Sequence, residues 1–403
     1  MSPVRPWAAR RSPGAELARV VMQPTPLPVE VVARAVAAVD RPAEARERLT
    51  FHGAWGHAHR VTESLGLPVP GWLADEGAGR RAWALRQHLR TLHDLVELRR
   101  VLDAAGVPWL AFKGPTLSAM YAFPDVRGYT DLDVLVDPAD LGAAVTALLA
   151  ARWPFVEASE DLDRRPPVGE LHLTGPAGTP VDLHWHLVYR PDHPSRGRLD
   201  PGSLVAGRRL MRIGATDMAT LPLPAHIVYV CAHAAAGGGN RLRWLTDVAH
   251  LASRASTADW SGVVETSRAW GVARSVALVL SRAVSQVDAP VPSWVTSTLT
   301  GRRARTLAAL VELADPLPGS REHRSTTAAL ARVADHPLGS AAGVVLGVRS
   351  ARRRRDPTPP RHDLLMTPGG VDPLLRFVDA VTTEAGRPGS RSGDHVPDVA
   401  APQ

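Results

Sequence analysis

The chain has 403 residues, of which 45% are hydrophobic and 22% charged, and a formal net charge of +7. That length supports two or three domains and a sizeable core, and the composition is that of a globular protein rather than a disordered one. No run of about 18 uncharged apolar residues occurs, so no membrane-spanning helix is expected. The stretch "MSPVRPWAARRSPGAELARV" lacks the apolar segment of a signal peptide, and the expected compartment is the cytoplasm. One cysteine, Cys231, excludes an internal disulfide framework and a cysteine-based zinc cluster.

In chain order, residues 1–25 contain Pro, Arg and Gly without a sustained period and are read as poorly ordered. Residues 29–71 have helical apolar spacing, broken at Pro42 and Pro68. A stronger helix follows, with Leu85, Leu89, Leu92, Leu95, Leu98 and Leu102 at three- and four-residue spacing and Gly106 as its stop. The pattern then becomes strand-like. "VPWLAF" (107–112) is a short apolar run ending at "KGP", and "PTLSAMY" reads as a short helix. "DLDVLV" (131–136) alternates with period two, and Pro138 opens a helix with Asp137 suited to its N-cap. "GELHLTG" and "PVDLHWHLV" flank a turn-rich "GPAGT" and read as a hairpin.

Helical patterns return from Leu223, pause at Gly237, Gly238 and Gly239, resume with Asn240 as N-cap, and continue to about Leu313. The last 50 or so residues are expected to be loosely ordered, because their short apolar pieces are set among Pro, Gly and Arg. The densest basic run, "RSARRRRDPTPPRH" from Arg349, has little that could stack on bases. It is read as a solvated tail rather than a specific nucleic-acid surface, since base readout needs more than charge. The expected division is therefore 1–25 poorly ordered, 26–84 helical, 85–220 a small mixed α/β domain, 221–313 helical, and 314–403 short helices with a basic, Pro-rich tail. The fold class is α+β.

Lys113 is the single lysine among 47 Lys and Arg residues. Arginine elsewhere, with abundant Ala, Gly and Pro, looks like the coding bias of a high-GC bacterial genome. A lysine that survives that bias marks a position where a compact ammonium and a guanidinium fork are not equivalent.

On a strand, Asp131 and Asp133 project to one face, about 6 to 7 Å apart at Cα, while Leu132, Val134 and Val136 face a core. In "PVDLHWHLV", Asp182, His184 and His186 share a face opposite Val181, Leu183, Trp185 and Leu187. If the two strands are neighbours, three carboxylates converge and need a counter-ion. Mg²⁺, with its preference for hard oxygen ligands, suits that role and supports phosphoryl or nucleotidyl transfer. The competing reading makes Asp131 a turn cap and Asp133 and Asp182 exposed strand residues. Gly114, between a strand and a short helix, is suited to approach a phosphate. His172, His184 and His186 with Asp182 form an alternative zinc-ligand set, as in a metal-dependent hydrolase, or else line the cleft. His226 and His233 are read as packing or interdomain hydrogen-bonding residues rather than ligands, and Trp244 with an Arg243–Asp247 i,i+4 pair as docking their helix onto the α/β domain.

The motifs "FKGPTLSAMY", "RGYTDLDVLVDPADL", "LHL", "VDLHWHL" and "LRWLTDVAHL" resemble the nucleotidyltransferase superfamily, whose fold is that of DNA polymerase β. The closer resemblance is to the bacterial group of uncharacterised nucleotidyltransferases in which Lys-Gly replaces the usual Gly-Gly or Gly-Ser, over roughly residues 80 to 255. The resemblance implies Asp131 and Asp133 as the metal-binding pair, Asp182 as the third catalytic carboxylate, and Mg²⁺ or Mn²⁺ as cofactor. It also implies Lys113, Gly114 and Arg127 as nucleotide or phosphate contacts, and an NTP as donor to an acceptor that the sequence does not identify. The other implied role is a non-catalytic, nucleotidyltransferase-like accessory protein of a biosynthetic cluster, which the altered glycine turn favours and the acidic triad opposes.

Overall fold

A mixed six-stranded sheet, with the strands in the order 170–174, 180–184, 132–136, 109–111, 216–220 and 209–213, carries the α+β fold. The computed structural model describes residues 12–156, 162, 169–188, 198–300 and 372–385. Helices α1 (Pro13–Val21), α2 (Val29–Ala37), α3 (Pro42–His52) and α4 (Trp55–Ser64) precede the 34-residue α5 (Gly71–Ala104). There follow β1 (Trp109–Ala111), α6 (Pro115–Ser118), β2 (Leu132–Val136), a 3₁₀ turn (Pro138–Asp140) and α7 (Leu141–Ala150). The chain continues with β3 (Glu170–Thr174), β4 (Pro180–His184), α8 (Pro201–Ala206), β5 (Arg209–Ile213) and β6 (Thr216–Thr220). Helices α9 (Leu223–Ala236), α10 (Leu242–Ala252), α11 (Thr257–Ala269), α12 (Ala273–Val287) and α13 (Ser293–Leu299) form a second layer, and α14 (Asp372–Ala385) returns to the sheet.

The two sheet faces have different partners, as strand alternation requires. Leu132, Val134, Val136, Leu171, Leu173, Val181 and Leu183 face a core shared with Leu95, Leu98 and Leu102 of α5, with α7, and with Leu374, Phe377 and Val378 of α14. Leu110, Phe112 and Leu135 face the larger core, made jointly by α1–α4 and α9–α13. Hydrogen bonds join those helical regions directly. The Thr246 hydroxyl donates to the Met22 carbonyl (2.8 Å), the Gln23 amide to the Gln286 carbonyl (2.9 Å), and the Leu242 N–H to His52 Nδ1 (3.2 Å).

Several expectations change. Residues 13–25 are not poorly ordered as expected: Ser12 caps α1 by accepting from the Ala15 N–H, and Leu17, Val21 and Met22 are buried. The division between residues 84 and 85 falls inside the unbroken α5, and the N- and C-terminal helical regions that flank the sheet share one core. Residues 372–385, expected to be loosely ordered, form a helix whose Phe377 ring packs edge-on against Trp185 at 5.6 Å. Asp137 does cap the turn before α7, accepting from the Ala139 N–H at 2.8 Å, whereas the N-cap of α10 is Arg241, not Asn240. The β5–β6 hairpin has no counterpart in the sequence reading. Its outer strand is largely exposed and interrupted by arginine, so it lacks apolar alternation. The expected helix up to Leu313 beyond residue 300 and the basic run from Arg349 lie outside the described residues.

Three histidines are buried where these layers meet. His52 accepts from α10, His226 Nε2 donates to the Phe112 carbonyl (2.8 Å), and neither ring nitrogen of His57 has a hydrogen-bond partner among the described residues. Burial lowers their pKa values from the ordinary 6.5 to about 3 for His52 and His57 and about 4 for His226. A depressed folded-state pKa contributes stability that is complete above about 6.5 and is lost as pH falls, by about 1.4 kcal/mol per pH unit for each group. The free energy of urea unfolding is therefore expected to fall by several kcal/mol between pH 7 and 5, and His57→Leu to make that slope shallower. An unchanged slope would show that protonation of His57 does not oppose folding.

Candidate functional site

The pairing of β2 with β4 builds the centre of the site. The strands are parallel, and their register sets Asp133 directly beside Asp182 and Leu135 beside His184. Antiparallel β3 then sets His172 beside Asp182 and Glu170 beside His184. Side chains of like parity share a face, so Asp133, Asp182, His184, Glu170 and His172 gather above the sheet. Exposure increases outward from Asp133, whose side chain is fully buried, to Asp182 at 21% and His172 at 41%. Oxygen and nitrogen atoms of Asp133, Asp182 and His184 lie within 4.8 Å of one another, as the ligands of one metal ion would.

A buried carboxylate needs compensation, and Asp133 receives it on one oxygen. Its Oδ1 is bound by the Lys113 ammonium and by His184 Nε2 at 3.1 Å. Its Oδ2 is buried and has no hydrogen-bond partner among the described residues. Burial alone would raise the Asp133 pKa, but Lys113 and His184 hold it below the usual carboxylate range. Lys113 shows the reciprocal effect. Burial opposes its charge, yet Tyr229, Asp133 and Asp131 together keep its pKa well above the ordinary value. Its ammonium also lies 5.5 Å from the Phe112 ring centre and 5.8 Å from that of Tyr229. Asp182 shifts the other way. Burial and the nearby charges of Asp133 and Glu170 raise it to about 6. Burial and Asp133 raise Asp131 as well.

Gly114 shapes the second wall. It has φ +46°, and a Cβ there would lie 2.7 Å from the Asp131 carbonyl oxygen, so the turn after β1 approaches the start of β2 more closely than a side chain allows. The loop between α6 and β2 is held by polar residues of α5. Arg81 bonds Asp125 (2.8 Å), His88 bonds the Tyr129 hydroxyl (2.9 Å), and Trp83 covers Gly128, where a Cβ would be 2.5 Å from the indole. These contacts explain why Leu85 and Leu89 are exposed: the buried face of α5 there is Ala84, Gln87, His88 and Thr91. Loop, turn and the second helical layer enclose a cavity of about 420 Å³ lined by Lys113, Gly114, Asp131, Tyr229, Arg243 and Trp244, among others.

Arg127, expected as a phosphate contact, lines this cavity but its guanidinium is already committed. Its Nε and Nη2 take both oxygens of Asp247 (2.6 and 2.9 Å), and the Tyr121 hydroxyl donates to the same carboxylate at 2.7 Å. Arg127 therefore replaces Arg243 as the partner expected for Asp247. His186 does not join the metal-ligand group. Its Nδ1 accepts from the Val188 N–H (2.9 Å), and the only histidine in that group among the described residues is His184. His172 stands near Glu170 (3.5 Å) and Asp182 (3.9 Å) at the rim, so the three histidines do not form one zinc-ligand set there. Glu170, 3.0 Å from His184 Nδ1, belongs to the cluster and was missed, although the alternation that selected His172 two residues later also selects it. Tyr229, beside Lys113, carried no sequence signal beyond its place on an apolar helix.

The sequence model of a family described as "Uncharacterised nucleotidyltransferase" matches residues 46–286, and the chain belongs to that family. No curated protein matches the chain. Among solved structures, an antigenic nucleotidyltransferase-like protein from Paracoccidioides brasiliensis is similar at 13% identity, over 51% of this chain and 94% of that one, with a TM-score of 0.31.

The Arg127–Asp247 pair joins the site loop to α10 out of contact with solvent. Removing one member of such a pair leaves the other buried and uncompensated, at a cost of about 3–5 kcal/mol. Asp247→Ala is expected to destabilise the fold by that amount in urea denaturation, and Arg127→Met with Asp247→Leu to recover most of it. Equal losses in the single and double variants would show that packing, not uncompensated charge, sets the cost.

Proposed function

We propose, with membership of that family as the premise, that this chain is a divalent-metal-dependent nucleotidyltransferase that moves an NMP group from an NTP to a hydroxyl of a small-molecule or protein acceptor. The observation that carries this reading is Asp133 paired in register with Asp182 while its second oxygen is buried and unsatisfied. A hard oxygen set with one imidazole fits Mg²⁺ or Mn²⁺, held by Asp133 and Asp182 with His184 and Asp131 adjacent, and such an ion would stabilise charge on the phosphoryl oxygens.

The protein groups divide the remaining work. The acceptor oxygen attacks the α-phosphorus, the new O–P bond forms as the bond to the β-phosphate oxygen breaks, and the electron pair leaves with pyrophosphate. Asp182 is the carboxylate suited to take the acceptor's proton. It is partly exposed, with its side chain 21% accessible beside the fully buried Asp133. Lys113 supplies a fixed positive charge beside Asp133, and Gly114 lets the chain turn close under the nucleotide phosphates.

The accessory-protein reading has one observation in its favour: Lys113 already neutralises Asp133, so the site holds together without a metal. Two measurements separate the readings. Asp131→Asn with Asp133→Asn is expected to lower metal-dependent pyrophosphate release by at least about 10²-fold; NTP binding without any turnover by the unmodified protein would favour the accessory role. Lys113→Arg is expected to weaken Mn²⁺ binding measured by calorimetry, because a guanidinium fork reaches for both carboxylate oxygens. Unchanged Mn²⁺ affinity and activity would show that only the charge at position 113 matters.

A further inference from the structure

Strand order divides the candidate site into two flanks. Asp182, Glu170 and His172 stand on the β4 side of Asp133, and Lys113 stands on the β1 side, next to the cavity. An in-line displacement puts the attacking oxygen and the leaving pyrophosphate on opposite sides of the phosphorus. A polyanion on the β4 flank would face two carboxylates. On the β1 flank it would enter a cavity lined by Arg80, Lys113, Arg127 and Arg243 and by the carboxylates Asp125, Asp131 and Asp247, of which Asp125 is paired with Arg81 and Asp247 with Arg127.

Most of the cavity's cations are already paired. Among the described residues, Arg80 bonds Glu76, Lys113 bonds Asp133 and Arg127 bonds Asp247. Among the described residues Arg243 has no hydrogen bond or ion pair, and Asp247, its natural partner four residues on, has both oxygens taken by Arg127 and Tyr121. Its stem crosses Gly53, where a Cβ would lie 3.2 Å from Arg243 Cδ, so the end of α3 leaves room for it. Burial and the like charge of Arg127 work against its guanidinium and outweigh the attraction of Asp247, Tyr121 and Asp131, so its pKa is lowered. An unpaired, half-buried cation beside another arginine is a cost to the fold that a bound anion would offset.

We propose that Arg243 binds the β- and γ-phosphates of the nucleotide in this cavity and sets its preference for triphosphates over monophosphates. The inference rests on the nucleotidyl-transfer reading for the identity of the anion. Cavity size agrees with such an occupant, since about 420 Å³ falls in the range of small-ligand sites.

The test uses the full chain, with inorganic tripolyphosphate as metal-free probe and an NTP and its NMP as nucleotide probes, all by calorimetry at low salt. Arg243→Gln is expected to weaken tripolyphosphate and NTP at least ten-fold while leaving NMP affinity within about two-fold. Arg243→Lys should retain part of the binding. Arg100→Gln, which removes an exposed charge paired only with Glu97, should change nothing. The thermal midpoint of Arg243→Gln should equal or exceed that of the unmodified chain, an outcome that a purely structural residue would not give. An unchanged NTP-to-NMP affinity ratio, or a midpoint lowered by several degrees, overturns the proposal. Loss of tripolyphosphate binding in Arg243→Gln, with no pyrophosphate release by the unmodified chain under any metal, would sustain the anion site and sink nucleotidyl transfer. Pyrophosphate release with an unchanged affinity ratio would do the reverse.

Discussion

A carboxylate at the centre of a buried sheet face is the constraint on which this structure turns. Asp133 has no contact with solvent, and an isolated ionised carboxylate there would cost many kcal/mol. Compensation arrives from three directions. Lys113 reaches it from the end of β1, His184 from the neighbouring parallel strand, and Glu170 stands behind His184 from β3. Each partner is fixed in turn. The Phe112 ring meets His184 edge-on and Tyr229 edge-on, both at 5.1 Å, and the Phe112 carbonyl accepts from His226. Two of those contacts belong to α9, so the charge balance of the sheet depends on the helical layer above it.

A second buried ion pair performs the same coupling on the other side of the cavity. Arg127 belongs to the loop before β2, and Asp247 belongs to α10, whose Thr246 in turn bonds the end of α1. Through that chain the N-terminal helices, the site loop and the second helical layer hold one another in register. Buried pairs of this kind are weak contributors to net stability but strong selectors of geometry when one partner cannot be satisfied elsewhere. The shared apolar core of α1–α4 and α9–α13 is the larger stabilising contribution.

What the sequence made legible follows from the range over which each signal acts. Alternation over "DLDVLV" and "PVDLHWHLV" is local, and it was enough to put Asp133, Asp182 and His184 on one face, although their pairing in register needed the fold. Glu170 was equally local and was passed over. The Arg127–Asp247 bond was not legible, because its members are 120 residues apart and Arg243 is the nearer candidate in sequence. Helix α1 was hidden by its Pro- and Gly-containing start, which serves as a capped helix N-terminus rather than a disordered tail. The β5–β6 hairpin was hidden because one short strand contact, Ala111 beside Thr220, attaches it to the sheet while its outer strand stays in solvent.

The same protein also shows what an arginine does to a buried aspartate, and this bears on the single lysine. Arg127 meets Asp247 with two nitrogens, one for each oxygen, and together with Tyr121 leaves that carboxylate nothing further to bind. Lys113 meets Asp133 at Oδ1, a position it shares with His184, and Oδ2 stays free. A point charge can neutralise a carboxylate from one side, whereas a planar fork tends to take both oxygens. In a chain that uses arginine at every other basic position, lysine stands where an aspartate is compensated yet keeps one oxygen available. That is the requirement a carboxylate must meet if it is to be stable in an empty site and still accept a cation.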